Sequence, residues 1–191
     1  MSKLRHGRKW VINCYCRGLL MLIVFVGLVL AYPASVMALQ SRYGELVYER
    51  RELLLEFNRK LRLSKNMKRV IKTKKIVSVE DEVTAKTNLI IDRVQVILNM
   101  FPADDMQLKI MLLPNKKGVA AFYRKQYGKD VDYCAYYSFS LKTVYISVRD
   151  TRLQLLAHEI GHAVVDHYFD ARPPHAIHEM MAVFTEQHIG D

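Results

Sequence analysis

The sequence predicts an α+β domain with a small antiparallel or mixed sheet, and three observations carry that class. Apolar residues recur at helical spacing in several segments. Short β-branched and aromatic runs joined by a tight turn stand between them. A histidine-bearing helix and a second helix close the chain.

Residues 39–78 follow a helical pattern with Leu46, Leu53, Leu54, Phe57 and Leu61 apolar. Residues 83–101 place Leu89, Ile90, Val94, Ile97 and Leu98 on one helical face, and Phe101-Pro102 ends it. Residues 106–113 form a short apolar strand, and 116–127 a helix closed by Gly128. Residues 131–139 and 143–148 make two strands around a turn at Ser140-Leu141-Lys142. No internal repeat or low-complexity tract interrupts this order.

Between Leu153 and Val165 the only charge is Glu159, which describes a buried helix whose lone carboxylate needs a partner. Asp150 or Thr151 can cap its start, and Pro173-Pro174 prevents continuation. The helix carries His158-Glu159-Ile160-Gly161-His162. Residues four apart lie one turn along the same face, so the two imidazoles can direct nitrogens at a single ion. Glu159 is rotated by roughly 100° and flanks that ion, placed to take a proton from water. Zinc, Zn2+, is the ion this spacing suits, because it lowers the pKa of bound water to about 7. The bland alternative is a core helix whose histidines only hydrogen-bond.

A catalytic zinc needs a third protein ligand and an open position. After the proline pair, residues 176–186 read as a second helix with Ile177, Met180, Met181 and Phe184 apolar. Glu179 is its best ligand candidate, far enough past His162 for the chain to return antiparallel. Ala182 would let the two helices approach closely.

These residues resemble the gluzincin metallopeptidases, whose third ligand is a glutamate on a helix after the H-E-x-x-H helix, often within an E-x-x-A pattern. The resemblance implies a zincin-like fold with an active-site helix and a following C-terminal helix. It makes His158, His162 and Glu179 the zinc ligands and Glu159 the general base. The family's thermolysin branch has an acidic residue four positions after the ligand glutamate, where this chain has Val183. Glu186, two turns beyond Glu179, can take over the steadying of a ligand histidine, or it is a solvated glutamate. Larger members add a C-terminal subdomain that donates to the oxyanion. Here Tyr133, Tyr136, Tyr137, Tyr145 or His175 would have to substitute, although tyrosines at strand spacing usually pack. His167 and His188 face away and receive no role. The family binds an extended peptide along an exposed edge strand before the motif helix, which assigns Val144, Tyr145 and Ile146 to that edge. The partner is a peptide or protein substrate whose identity the residues do not name.

Lys3, Arg5, Arg8, Lys9 and Arg17 precede an uncharged apolar run from Gly18 to Tyr32, with Val36-Met37-Ala38 beyond it. This is the pattern of a secretory signal cleaved after Ala38, or of an uncleaved membrane anchor. Either places the remainder outside the cytoplasm, secreted, periplasmic or anchored. Cys134 is then the single cysteine after the leader, so no disulfide forms within that part. The resulting division is a leader or anchor over 1–38, a basic amphipathic helical segment over 39–78 and a minimal metallopeptidase domain over 79–191.

The formal charge of +10 is unevenly spread. Residues 1–75 hold 17 basic residues against four acidic, while 76–191 hold 12 against 15. Arg59 to Lys75 contains nine basic residues and no acid. Such a run is a solvated helical face or a contact with a membrane surface, and export argues against nucleic acid. It could also inhibit or oligomerise. The expected function is therefore an exported zinc peptidase, with a catalytically weak metal- or peptide-binding module at the cell envelope as the alternative.

Overall fold

The computed structural model describes residues 36–103 and 106–191, so all but the last three residues of the leader or anchor expected over 1–38 lie outside the described residues. Along the described chain the elements are β1 (Met37–Ser41), β2 (Gly44–Tyr48), α1 (Arg51–Lys60), α2 (Lys65–Lys72), α3 (Val79–Leu98), β3 (Leu108–Leu113), α4 (Lys116–Tyr127), β4 (Ala135–Ser138), β5 (Thr143–Ser147), α5 (Leu153–Tyr168) and α6 (His175–His188). The class is α+β, with five strands in one mixed sheet ordered β1-β2-β3-β5-β4.

Central strands β2, β3 and β5 run parallel, while β1 and β4 lie antiparallel at the edges. Parallel neighbours require crossovers, and helices supply both. α1 to α3 connect β2 to β3, while α4 and β4 intervene between β3 and β5. Strand alternation divides the core in two. Ile110, Leu112, Val144, Ile146 and Tyr137 face the larger cluster with Phe57, Ile90, Val94, Leu156 and Ile160. Tyr136 and Tyr145 turn to the other side, against Val119, Phe122 and Tyr123 of α4.

Local chemistry explains several boundaries. The Ser78 side chain accepts from the Asp81 N–H while Asp81 accepts from the Ser78 N–H, a reciprocal capping box that starts α3. Asn115 caps α4, and Gly128, at φ 69°, closes it as expected. Gly44 has φ 141°, and a Cβ there would lie 2.0 Å from the Leu108 carbonyl oxygen, so only glycine admits the β2–β3 pairing at that point.

Three expectations are corrected. Residues 37–48 form the hairpin β1–β2, and the helical pattern begins only at Arg51. The alternation in this short hairpin merges with the apolar composition upstream and with the leucines of α1. A division at 78/79 is absent: residues 36–191 pack as one unit, with Met67 and Ile71 of α2 in the shared core.

The strand bearing Val144, Tyr145 and Ile146 is also not an edge. β5 lies between β3 and β4, and all three residues are buried. The β3-to-β5 crossover seats β5 beside its parallel partner and leaves β4, folded back outside it, with the open edge.

Candidate metal centre

α5 begins at an Arg152 N-cap without a side-chain cap bond. Asp150 instead accepts from the Ser147 hydroxyl, and Thr151 donates to the Ser147 carbonyl, so both proposed caps serve the preceding turn. Leu153, Leu156, Ile160, Val164 and neighbouring alanines bury most of the helix. Gly161 is where α6 crosses: an added Cβ would sit 3.1 Å from the Ala182 Cα and 3.2 Å from the Thr185 hydroxyl oxygen. Ala182 is fully buried, as the close approach of two helices requires.

This contact sets the α6 side chains over those of α5. One ligand atom each from His158, His162 and Glu179 lies within 4.8 Å of the others. Glu179 Oε1 is 3.4 Å from His162 Nε2, and Glu179 Oε2 is 3.8 Å from His158 Nε2. Two ligands about 2.1 Å from a tetrahedral zinc stand about 3.4 Å apart, so the donor set and its spacing fit that ion. Glu186 Oε2 lies 3.2 Å from His158 Nδ1. A carboxylate can only accept, which puts the proton on Nδ1 and leaves Nε2 with its lone pair toward Glu179. Glu186 thus reaches one of the two histidines, where the steadying role expected of it would be exercised.

Burial dominates the electrostatics. Glu159 is 6% exposed, and desolvation pushes its carboxyl up to about 8, against the lowering effect of a hydrogen bond from the Tyr137 backbone N–H. The nearby Glu179 and Glu186 add to the rise. The partner that a lone buried carboxylate needs is therefore a main-chain donor. His162, 7% exposed, is held down to about 3, first by desolvation and then by the charges of His158, His178, His175 and Arg172. It stays neutral, as a ligand imidazole must.

The three donors and Glu159 open onto a cleft of about 490 Å³, which Tyr123, Tyr133, Tyr136, Phe139 and His175 also line. β4 forms one wall. Ser147 N–H donates to the Cys134 carbonyl, so residues 134, 136 and 138 bond to β5, and Ala135 and Tyr137 present their main-chain groups to the open side. Tyr137 spends its N–H on Glu159, and its hydroxyl donates to Asp166.

Of the oxyanion candidates, Tyr133, Tyr136, Tyr137 and His175 line the cleft, while Tyr145 stacks beneath Tyr136 with ring centres 4.8 Å apart. His175 Nε2 is 3.4 Å from Glu179 Oε1. His167 and His188 each meet a backbone carbonyl of their own helix, away from the donors.

Sequence reasoning missed Ala135, Tyr123, Phe139 and His178. His178 is fully buried, its ring 6.1 Å from that of His162 and edge-on to Phe139 at 5.1 Å, and burial lowers its pKa. Neither of its ring nitrogens, nor His162 Nδ1, has a hydrogen-bond partner among the described residues. Its place four residues before Ala182 was a signal, since residues four apart share a helix face and Ala182 had been read as the point of close approach.

No protein-family model matches this chain, and no curated protein or solved structure is similar to it.

Proposed function

We propose that this chain is an exported zinc-dependent metallopeptidase of minimal gluzincin type, with His158, His162 and Glu179 holding the ion and Glu159 as the general base. The observation that carries this reading is the convergence of those three donors at zinc-compatible spacing beside a buried carboxylate in an open cleft. Bound zinc supplies Lewis-acid polarisation of a carbonyl and lowers the pKa of water.

The chain's own groups account for the rest. With a bound cation's charge offsetting the desolvation that otherwise keeps it protonated, Glu159 accepts the proton of the attacking water at its carboxylate as the new C–O bond forms, and delivers it to the amide nitrogen as the C–N bond breaks. The Tyr137 N–H holds that carboxylate in place. The outward N–H and carbonyl of Ala135 and the outward carbonyl of Tyr137 suit an extended peptide, which transfers the edge-strand role from β5 to β4. Tyr133 and His175 stand at the cleft and are the groups available to the oxyanion.

The test uses the purified full chain, with zinc measured by elemental analysis and cleavage of a complex peptide mixture followed by mass spectrometry. One zinc per chain and metal-dependent cleavage are expected, and Glu159→Gln should keep the zinc while turnover falls by about a thousandfold. Zinc without cleavage in the parent would favour the binding-module alternative, and no zinc would overturn the assignment.

A further inference from the structure

The basic residues between 59 and 75 form an exposed surface on α1, α2 and the loop that follows. Met67 and Ile71 turn inward, while Arg59, Lys60, Arg62, Lys65, Lys68, Arg69, Lys72, Lys74 and Lys75 are all exposed. None of the nine joins an ion pair among the described residues. Outside this face Arg42, Arg51, Lys86, Lys109, Lys116, Arg124 and Lys142 each pair with an acid, and the other unpaired basic residues are scattered along the chain, so what sets this face apart is nine unpaired bases within 17 residues. Like charges left uncompensated at this density repel one another and offer a partner of opposite sign a large gain.

Position narrows the partner. Val70, Lys74 and Lys75 line a groove of about 450 Å³ whose other wall includes Leu39 and Gln40 of β1. The acids in that groove are engaged, Asp81 with the Val77 and Ser78 N–H groups and Asp92 with Arg42. Exposed Val70 and Val77 sit among the charges. No aromatic residue occurs between Arg59 and Val77, so the stacking platforms of a single-stranded nucleic-acid site are missing.

We propose that this face of α1 and α2 is a docking surface for anionic phospholipid headgroups, which lays the domain against the membrane. The inference does not depend on the peptidase reading. Each basic side chain near an anionic leaflet adds attraction that decays within a Debye length.

Full chain in nanodiscs of phosphatidylcholine alone, or with phosphatidylglycerol added, tests it through lysine acetylation rates read by mass spectrometry. In the anionic discs Lys65, Lys68, Lys72, Lys74 and Lys75 should react at least about threefold more slowly, with Lys117, Lys125 and Lys129 unchanged and the protection lost near 1 M salt. The quadruple variant K68E/R69E/K72E/K74E should lose the lipid dependence and keep the parent's melting temperature. Equal rates in both discs would overturn the proposal, as would protection produced by an oligonucleotide and not by anionic lipid.

Discussion

The α5–α6 pair and the α1–α2 face treat polar groups in opposite ways. Where α5 and α6 cross, Glu159, His162 and His178 are buried, the donor atoms of His158, His162 and Glu179 lie within 4.8 Å of one another, and Glu159 depends on one backbone donor. From Arg59 to Lys75 the nine basic side chains are exposed and join no ion pair among the described residues. Burial strengthens each interaction in the first region and makes it specific to one geometry, whereas water weakens each in the second and leaves only their sum to act. Single substitutions should therefore matter greatly in one region and little in the other.

The sharpest probe of the buried side is Glu186→Ala, which removes the acceptor at His158 Nδ1. Zinc affinity should fall by about 10- to 100-fold, measured by competition with a chromophoric chelator, while the fold persists. An unchanged affinity would make Glu186 a bystander and blur the contrast.

Acid and base stability of the metal-free protein comes next. The Glu159 carboxyl, ordinarily near 4.5, is lifted to about 8, so between those values the unfolded chain has released a proton that the folded chain still holds. Stability is lost as pH rises through that window. Glu159→Gln should raise the melting temperature at pH 8 by at least about 3 °C and leave it unchanged at pH 4. His162 acts at the other end, because its folded value near 3 lies below its ordinary 6.5 and stability is lost as pH falls between them. Differential scanning fluorimetry after chelation reads both arms.

Gly161→Ala tests packing. Its methyl group would crowd Ala182 and Thr185, a cost that should exceed the roughly 1 kcal/mol helix-propensity gain of alanine over glycine. The expected net loss is about 1 kcal/mol by urea titration. The smallest effect belongs to the exposed face: Lys68→Gln with Lys72→Gln should change stability by less than about 0.5 kcal/mol in the same titration.

How much was legible differs between these regions for the same physical reason. The spacing of His158 and His162, the distance onward to Glu179 and the small side chain of Ala182 are local facts of helical geometry, so the donor set could be read before any fold was known. Glu186 was readable as a helical-face neighbour, and its contact with His158 matches that reading. The helix over 116–127 and the turn between β4 and β5 also follow from local periodicity and glycine placement. The hairpin β1–β2 escaped, because a few alternating residues beside apolar and leucine-rich neighbours carry too little periodicity to separate strand from helix.

By itself the sequence determined the α+β class, the two C-terminal helices, the His-Glu-His-Glu constellation and the concentration of positive charge before residue 76. Those properties depend on residues within a few turns of one another. Only the tertiary structure decided that β4 rather than β5 carries the open edge, that the Tyr137 N–H is the partner of Glu159, that His178 is buried beside His162, and that the groove lined by α2 includes β1. Each of these rests on strand order or on packing between segments far apart in the chain, where the deciding energies come from burial shared across elements and not from the pattern within any one of them.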